Sequence, residues 1–107
     1  MSGRFGLVVK FTLKPGHEDA FDQLVSDTLP GIRDREPGTL IYTCHRVHDA
    51  PSERVFYELY RDQEAFDAHG QQPHVQRFLA ERDQHLERVE VDFLTLSDGK
   101  GLPASSS

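Results

Sequence analysis

The sequence predicts an α+β fold of the split βαβ, or ferredoxin-like, type: a four-stranded antiparallel sheet with its helices on one face. Two observations lead to this class. Four segments read as strands because apolar and polar residues alternate in them or because they are rich in β-branched and aromatic residues. Segments with helical periodicity lie between the first and second strands and between the third and fourth, whereas a short polar loop joins the second and third. The order is therefore β-α-β-β-α-β.

The first strand and the first helix carry the clearest patterns. Every odd position of Phe5–Leu13 is apolar, as in a half-buried strand. After a turn at Pro15 and Gly16, apolar residues recur at helical spacing from about Glu18 to about Arg35. Pro30 lies inside this helix, so we expect a kink or a tightened last turn near Thr28–Pro30.

The rest of the chain supplies the remaining elements and turns. Glu36, Pro37 and Gly38 stop the first helix and turn the chain. Asp62 is suited to cap a short helix that ends at Gly70, and Pro73 is suited to the first turn of another helix. After the turn we predict a strand over Thr39–Val47, a loop over His48–Glu53 and a strand over Arg54–Tyr60. A helix over Gln63–His69 follows, and then a helix that begins at Pro73 and whose apolar stripe ends at Leu86. The last predicted element is a strand over Val89–Leu96.

Length and composition limit the organisation and the partners of the chain. Its 107 residues form one domain, predicted over 1–96, followed by a polar, glycine-containing tail over 97–107. The net charge of −6 disfavours nucleic-acid binding. We expect no membrane segment, since no apolar run reaches the length of a spanning helix. A single cysteine and the lack of a signal-like apolar stretch predict a cytoplasmic protein.

Apolar residues on both faces of the sheet predict a homodimer. The third strand places Val55, Tyr57 and Leu59 on one face and Phe56 and Tyr60 on the other. One chain has helices for only one face, so we expect the second face to be covered by the sheet of a second copy.

Three segments together resemble the antibiotic biosynthesis monooxygenase (ABM) family. They are Glu36–Tyr42, with the pattern E-P-G-x-x-x-Y; Phe56–His69, in which a Glu stands two residues before an aromatic residue and a His closes a short helix; and Pro73–Phe78, with P-H-x-x-x-F. The resemblance implies a dimeric α+β barrel and, in the quinol-monooxygenase-like branch, oxygenation of phenolic or quinol-type substrates without a cofactor. Haem-degrading relatives carry an Asn, a Trp and a His where this chain has Val9, Tyr60 and Phe78 or Leu79, so haem degradation is not expected.

Three residues are predicted to carry catalysis. His69 is the first candidate for a general base, since an imidazole titrates near neutral pH, although it could instead cap its helix. His74 is the second candidate, and it could also be an ordinary surface residue. Glu58 interrupts an apolar strand, so it could orient a histidine, act as a base or pair with Arg46.

Three further residues are predicted to bind substrate: Tyr42, Tyr60 and His45. The tyrosines could equally be core aromatic residues, and Cys44 is most simply a small buried strand residue. No metal site is expected, because the histidines lack ligand spacing. No cofactor is expected either, because no dinucleotide-binding glycine motif follows a strand.

The sequence thus favours a cofactor-independent monooxygenase that acts with dioxygen on a phenolic, quinol or polyketide-like aromatic substrate. One alternative is an isomerase or degrading enzyme for a small phosphorylated metabolite on the same fold, which would use Arg46, Arg61 or Arg77. The other is a dimeric module that binds a ligand without catalysis.

Overall fold

The computed structural model describes residues 3–104 and has the predicted order of elements. The strands are β1 (Phe5–Leu13), β2 (Thr39–Val47), β3 (Ala50–Tyr60) and β4 (Leu86–Thr95). The helices are α1 (Glu18–Arg35), α2 (Gln63–Gly70) and α3 (Pro73–Arg82), and a 3-10 turn (Asp83–His85) connects α3 to β4. The fold is therefore the ferredoxin-like α+β arrangement predicted from the sequence.

All neighbouring strands of the sheet are antiparallel, in the order β2-β3-β1-β4. Leu7 of β1 lies opposite Glu58 of β3 on one side and Phe93 of β4 on the other. Directly opposed residues share a face of the sheet, so these three side chains lie on the same face. This is the face that the helices cover.

The core lies between this face and the three helices. The odd residues of β1 that the sequence identified are buried from Leu7 to Leu13, and they pack with residues of α1, β3, α2 and α3. The rings of Phe21 of α1 and Phe78 of α3 both pack near the ring of Phe11 of β1, one tilted and the other edge-on. The helices thus bury the central strands β1 and β3, where the apolar pattern is strongest.

Local turns and caps follow the predicted chemistry. Gly16 has a positive φ of 85° in the turn between β1 and α1. The carboxylate of Asp62 accepts a hydrogen bond from the backbone N–H of Ala65 and caps α2. Of the two alternatives expected at Pro30, a tightened last turn is not found, because α1 stays α-helical through Arg35.

Two boundaries differ from the predictions. The predicted loop over His48–Glu53 is only a tight turn at His48 and Asp49, because the backbone of Asp49 adopts a φ of 62° and β3 begins at Ala50. The helical stripe that was expected to reach Leu86 ends at Arg82, and Leu86 already belongs to β4. A helical pattern and a strand pattern overlap at this point of the sequence.

The outer strand β4 is not covered by the helices. Val89, Val91 and Phe93 lie on the helix-bearing face, yet they are 38%, 42% and 61% exposed. The opposite face is mixed: Val55 and Tyr57 are half-buried, and Lys10 forms an ion pair there with Glu53. Uncovered apolar surface therefore occurs on both faces of the sheet.

The segment after β4 has no regular secondary structure as far as residue 104. Residues 1–2 of the predicted domain and 105–107 of the predicted tail lie outside the described residues. Among residues 3–104, no helix has the length and hydropathy needed to cross a bilayer.

Candidate functional site

A cavity of about 420 Å³ lies between the helix-bearing face of the sheet and helices α2 and α3. Ten of its eighteen lining residues are apolar, and five of these are phenylalanines. Its charged or titratable lining residues are Tyr42, Glu58, Asp67, His69 and Arg82. An apolar chamber of this size with a few polar groups suits a small aromatic ligand.

Glu36 is a buried carboxylate that holds two histidines. Its Oε1 lies 2.6 Å from Nδ1 of His69, and its Oε2 lies 2.5 Å from Nε2 of His74. The hydroxyl of Thr39 also donates to Oε1, at 2.7 Å. Burial disfavours ionisation of Glu36, but the hydrogen bonds from His69, Thr39 and His74 outweigh it and lower the pKa of Glu36.

The local backbone explains how these three side chains meet. Glu36 follows the last residue of α1, His69 lies in the last turn of α2, and His74 lies in the first turn of α3. The ring of His74 packs against Gly31 of α1, where a Cβ would come within 2.5 Å of the ring. A residue without a side chain at position 31 therefore makes room for the bond between His74 and Glu36.

The hydrogen bonds fix which nitrogen of His69 is free. An ionised carboxylate only accepts hydrogen bonds, so Glu36 requires a proton on Nδ1 of neutral His69. The lone pair is then on Nε2, the nitrogen that lies 3.9 Å from Oε1 of Glu58. The neutral form of His69 thus has an oriented, unprotonated Nε2, as a general base requires, and His69 lines the cavity.

Glu58 and Tyr60 form a second hydrogen-bonded pair next to His69. The hydroxyl of Tyr60 donates to Oε1 of Glu58 over 2.5 Å. Burial is the largest influence on Glu58 and raises its pKa, although the bond from Tyr60 opposes this. Tyr42 has a pKa well above its ordinary value, chiefly because of burial, so its phenol keeps its proton and can donate to a ligand oxygen.

The structure brings together most of the predicted site residues. Tyr42, Glu58 and His69 line the cavity directly. Tyr60 and His74 do not line it: Tyr60 bonds to Glu58, which does, and His74 is linked to His69 through Glu36. The ring of His69 bonds to Glu36 instead of capping its helix, and His74 is held by Glu36 instead of lying free on the surface.

His45 lies away from this site. It is exposed on β2 opposite Val55, on the face that the helices do not cover, and its Nε2 lies 2.8 Å from the Thr43 hydroxyl. Strand parity explains its separation from Tyr42, which lies three residues earlier and therefore on the other face.

Two alternatives from the sequence are wrong. Glu58 does not pair with Arg46, whose guanidinium bonds instead to Asp22 of α1. Cys44 is exposed instead of buried, because β2 is an edge strand that the helices cover only in part.

The arginines proposed for phosphate binding lie outside the cavity. Arg46 pairs with Asp22, Arg61 lies beside Asp62, and Arg77 pairs with Glu81 on the surface of α3. Among residues 3–104 there is no cluster of three or more His, Cys, Asp or Glu side chains suited to hold a metal ion.

Sequence reasoning missed two polar residues of the site. Glu36 was interpreted as part of a turn and of a family motif but not as a site residue, although it is 7% exposed and joins the two histidines. Arg82 was counted only within the helical stripe that ends at Leu86, with no role in the site, but it lines the cavity. The sequence signal for Arg82 was its position four residues after Phe78, on the same face of α3 as the buried residues.

Comparisons with known proteins agree with this architecture. The family model for antibiotic biosynthesis monooxygenase, ABM, matches residues 4–81. Protein PA3566 from Pseudomonas aeruginosa is 26% identical, with a TM-score of 0.82, over 92% of this chain and 98% of that chain. Protein Rv0793 from Mycobacterium tuberculosis is also 26% identical, with a TM-score of 0.84, over 92% of this chain and 99% of that chain. No curated protein sequence matches the chain.

The family match covers most of the chain and includes the segments that hold Glu36, Glu58, His69 and His74. The likeness to solved structures extends over nearly all of each neighbour, so this domain accounts for their whole fold. The chain belongs to the antibiotic biosynthesis monooxygenase family.

Proposed function

We propose that the protein is a cofactor-independent monooxygenase that inserts one oxygen atom of dioxygen into a phenolic, quinol or polyketide-like aromatic substrate. The observation that carries the proposal is a largely apolar cavity bordered by a histidine whose Nδ1 is bonded to Glu36 and whose Nε2 is free. Such a cavity accepts an aromatic ring, and such a histidine removes a proton from it.

Deprotonation of the substrate is the first step of the proposed reaction. Nε2 of His69 takes a proton from an acidic O–H or C–H group of the bound ring, and the resulting imidazolium keeps its Nδ1 proton on Glu36. The negative charge of Glu36 stabilises this imidazolium. The electron pair left on the substrate makes it a delocalised anion.

The anion then supplies the electrons for the reaction with dioxygen. It transfers one electron to O₂, and the substrate radical and superoxide combine to form a carbon–oxygen bond. The peroxide takes up a proton from His69. Loss of the remaining proton on that carbon breaks the O–O bond, forms a carbonyl and releases the second oxygen atom as water.

The polar groups around the cavity are able to stabilise the negative charges that form in these steps. Tyr42 keeps its phenolic proton and is able to donate a hydrogen bond to a substrate or peroxide oxygen. Glu58, whose pKa is raised, is able to do the same in its protonated form. Apolar walls strengthen both interactions, because few dipoles screen them.

We also propose that the protein works as a homodimer. Support comes from the exposed apolar side chains of β4, above all Phe93 at 61% exposure, and from apolar residues on the uncovered face of the sheet. Phe93 also lines the cavity, so a second subunit seated there would shield the mouth of the cavity from water.

Oxygen uptake tests the proposed activity. Wild type, His69→Ala and Glu58→Ala would be compared on an oxygen electrode with a panel of hydroquinones and anthrone, after subtraction of the enzyme-free rate. We expect uptake with wild type and a loss of about 10²- to 10⁴-fold for His69→Ala, the usual contribution of a general base. His45→Ala is the matched control, since His45 is exposed and outside the cavity, and it should keep the wild-type rate.

Unchanged rates in both His69→Ala and Glu58→Ala would remove these residues from the mechanism. If wild type binds the aromatic compounds but consumes no oxygen with any of them, the protein is a ligand-binding module instead of an oxygenase.

A further inference from the structure

Arg82 places a positive charge in the wall of the cavity. It is the only Arg or Lys among the lining residues in the described part of the chain. Its Cζ lies 5.6 Å from the ring centre of Phe11 and 6.0 Å from that of Phe78, both of which also line the cavity. The guanidinium thus lies against aromatic core residues, with its side chain 22% exposed.

The charge of Arg82 is poorly neutralised within residues 3–104. The only carboxylate there within 4 Å is that of Asp83, at 3.8 Å from Nε, and the side chain of Asp83 is 79% exposed. Arg54 and Arg77, by contrast, bond to carboxylates at 2.9 Å and 2.6 Å. Nε of Arg82 is buried and has no hydrogen-bond partner in that part of the chain. A ligand acceptor therefore has to bond to the terminal nitrogens of Arg82, which are not among the buried atoms and form no hydrogen bond within residues 3–104.

Arg82 is close enough to the other polar groups of the cavity for its charge to act on them. Burial, the largest influence, raises the pKa of both Glu58 and Tyr42, whereas the positive charge of Arg82 favours a lower pKa of each. Arg82 and His69 line the same cavity, so an aromatic ligand held by Arg82 lies beside the proposed base.

We propose that Arg82 binds a carboxylate carried by the aromatic substrate. The substrate class is thereby narrowed to aromatic acids. This inference rests on the proposed use of the same cavity.

The other charged groups of the cavity are compatible with this ligand. Asp67 is exposed on α2, where water screens it. Glu58 and Tyr60 form one hydrogen-bonded pair, and Glu36 is hydrogen-bonded to its two histidines and does not line the cavity. Arg82 is therefore the attractive charge for an anion in a protein with a net charge of −6.

Binding of a matched pair of probes tests the proposal. The dissociation constants of 2-naphthoate and its neutral isostere 2-naphthamide would be measured by calorimetry for wild type, Arg82→Gln, Arg82→Lys and Arg77→Gln. We expect wild type to prefer naphthoate by about tenfold or more, the contribution of a charge-assisted hydrogen bond. Arg82→Gln should lose this preference while binding naphthamide as before, which also shows that the cavity is intact.

The remaining variants separate charge in the cavity from charge elsewhere. Arg82→Lys should keep part of the preference, and Arg77→Gln, on the exposed face of the same helix, should keep all of it. Equal affinities in wild type, no binding of naphthoate to wild type, or a preference that persists in Arg82→Gln would overturn the proposal. A preference that depends on Arg82, combined with no oxygen uptake on any substrate, would leave the anion site standing and refute the monooxygenase.

Discussion

Glu36 and His69 are 33 positions apart in the sequence, yet Oε1 of one lies 2.6 Å from Nδ1 of the other. The turn after α1 delivers the carboxylate and the last turn of α2 delivers the imidazole. Because the carboxylate also holds His74 from α3, one buried residue connects the ends of all three helices beside the cavity. The orientation of the proposed base therefore depends on a residue that does not itself line the cavity.

Replacement of this carboxylate by an amide should weaken the base without removing it. In Glu36→Gln the two histidines lose a charged acceptor, so His69 is no longer restricted to the tautomer with a free Nε2. We expect oxygen uptake to fall by about tenfold to a hundredfold, the equivalent of one charge-assisted hydrogen bond. The tautomer would be read from the imidazole nitrogen shifts of labelled protein. A wild-type rate together with an altered tautomer would contradict this role.

The raised pKa of Glu58 predicts a pH-dependent stability difference. The folded protein binds a proton at Glu58 over a pH range in which the unfolded chain has released it, so the free energy of unfolding falls as pH rises above the ordinary value of 4.5. Glu58→Gln lacks this titration and keeps an acceptor for Tyr60. Urea unfolding at a series of pH values should show the variant gaining stability relative to wild type as pH rises above 4.5. A difference that does not change with pH would contradict the assignment.

Substitutions at Gly31 and His74 should have strongly coupled effects on the free energy of unfolding. Ala is favoured over Gly in a helix by about 1 kcal/mol, yet a Cβ at position 31 would lie 2.5 Å from the His74 ring. Gly31→Ala should therefore destabilise wild type but stabilise the His74→Ala variant, by up to about 1 kcal/mol. A double-mutant cycle of urea unfolding measures both effects. The same sign of effect in the two backgrounds would show that the ring does not occupy this space.

The exposed surface of β4 predicts the oligomeric state. Wild type should sediment as a dimer with twice the 12.2 kDa mass of the chain, and Phe93→Asp should shift it towards monomer by placing a charge in an apolar contact. Leu102→Asp is a control of similar chemistry on an exposed residue after β4. A monomeric wild type at micromolar concentration would refute the dimer.

Periodicity predicted the fold because burial imposes it on the strands and helices that form the core. The alternation in Phe5–Leu13 and the helical spacing in Glu18–Arg35 match the observed elements in full. Patterns were weaker where two kinds of structure compete, as at Leu86, which continues the stripe of α3 but begins β4.

The candidate site was predicted only in part because its central contacts are non-local. Each residue type at His69, Glu58 and Tyr42 suggested chemistry on its own, and all three line the cavity. That Glu36 joins His69 to His74 depends on how the helix ends meet, which no local pattern records. Whether His45 faces the cavity and whether Cys44 is buried depend on which face and which edge of the sheet the helices cover. Tertiary packing decides this coverage.

The fate of the oxygen atoms tests the proposed reaction most directly. Wild-type protein would be mixed with anthrone under ¹⁸O₂ in unlabelled water, and the product would be analysed by mass spectrometry. We expect a quinone with one ¹⁸O atom at the former methylene carbon and the second ¹⁸O atom in water, formed much more slowly by His69→Ala. A product that carries no ¹⁸O would contradict the proposed reaction.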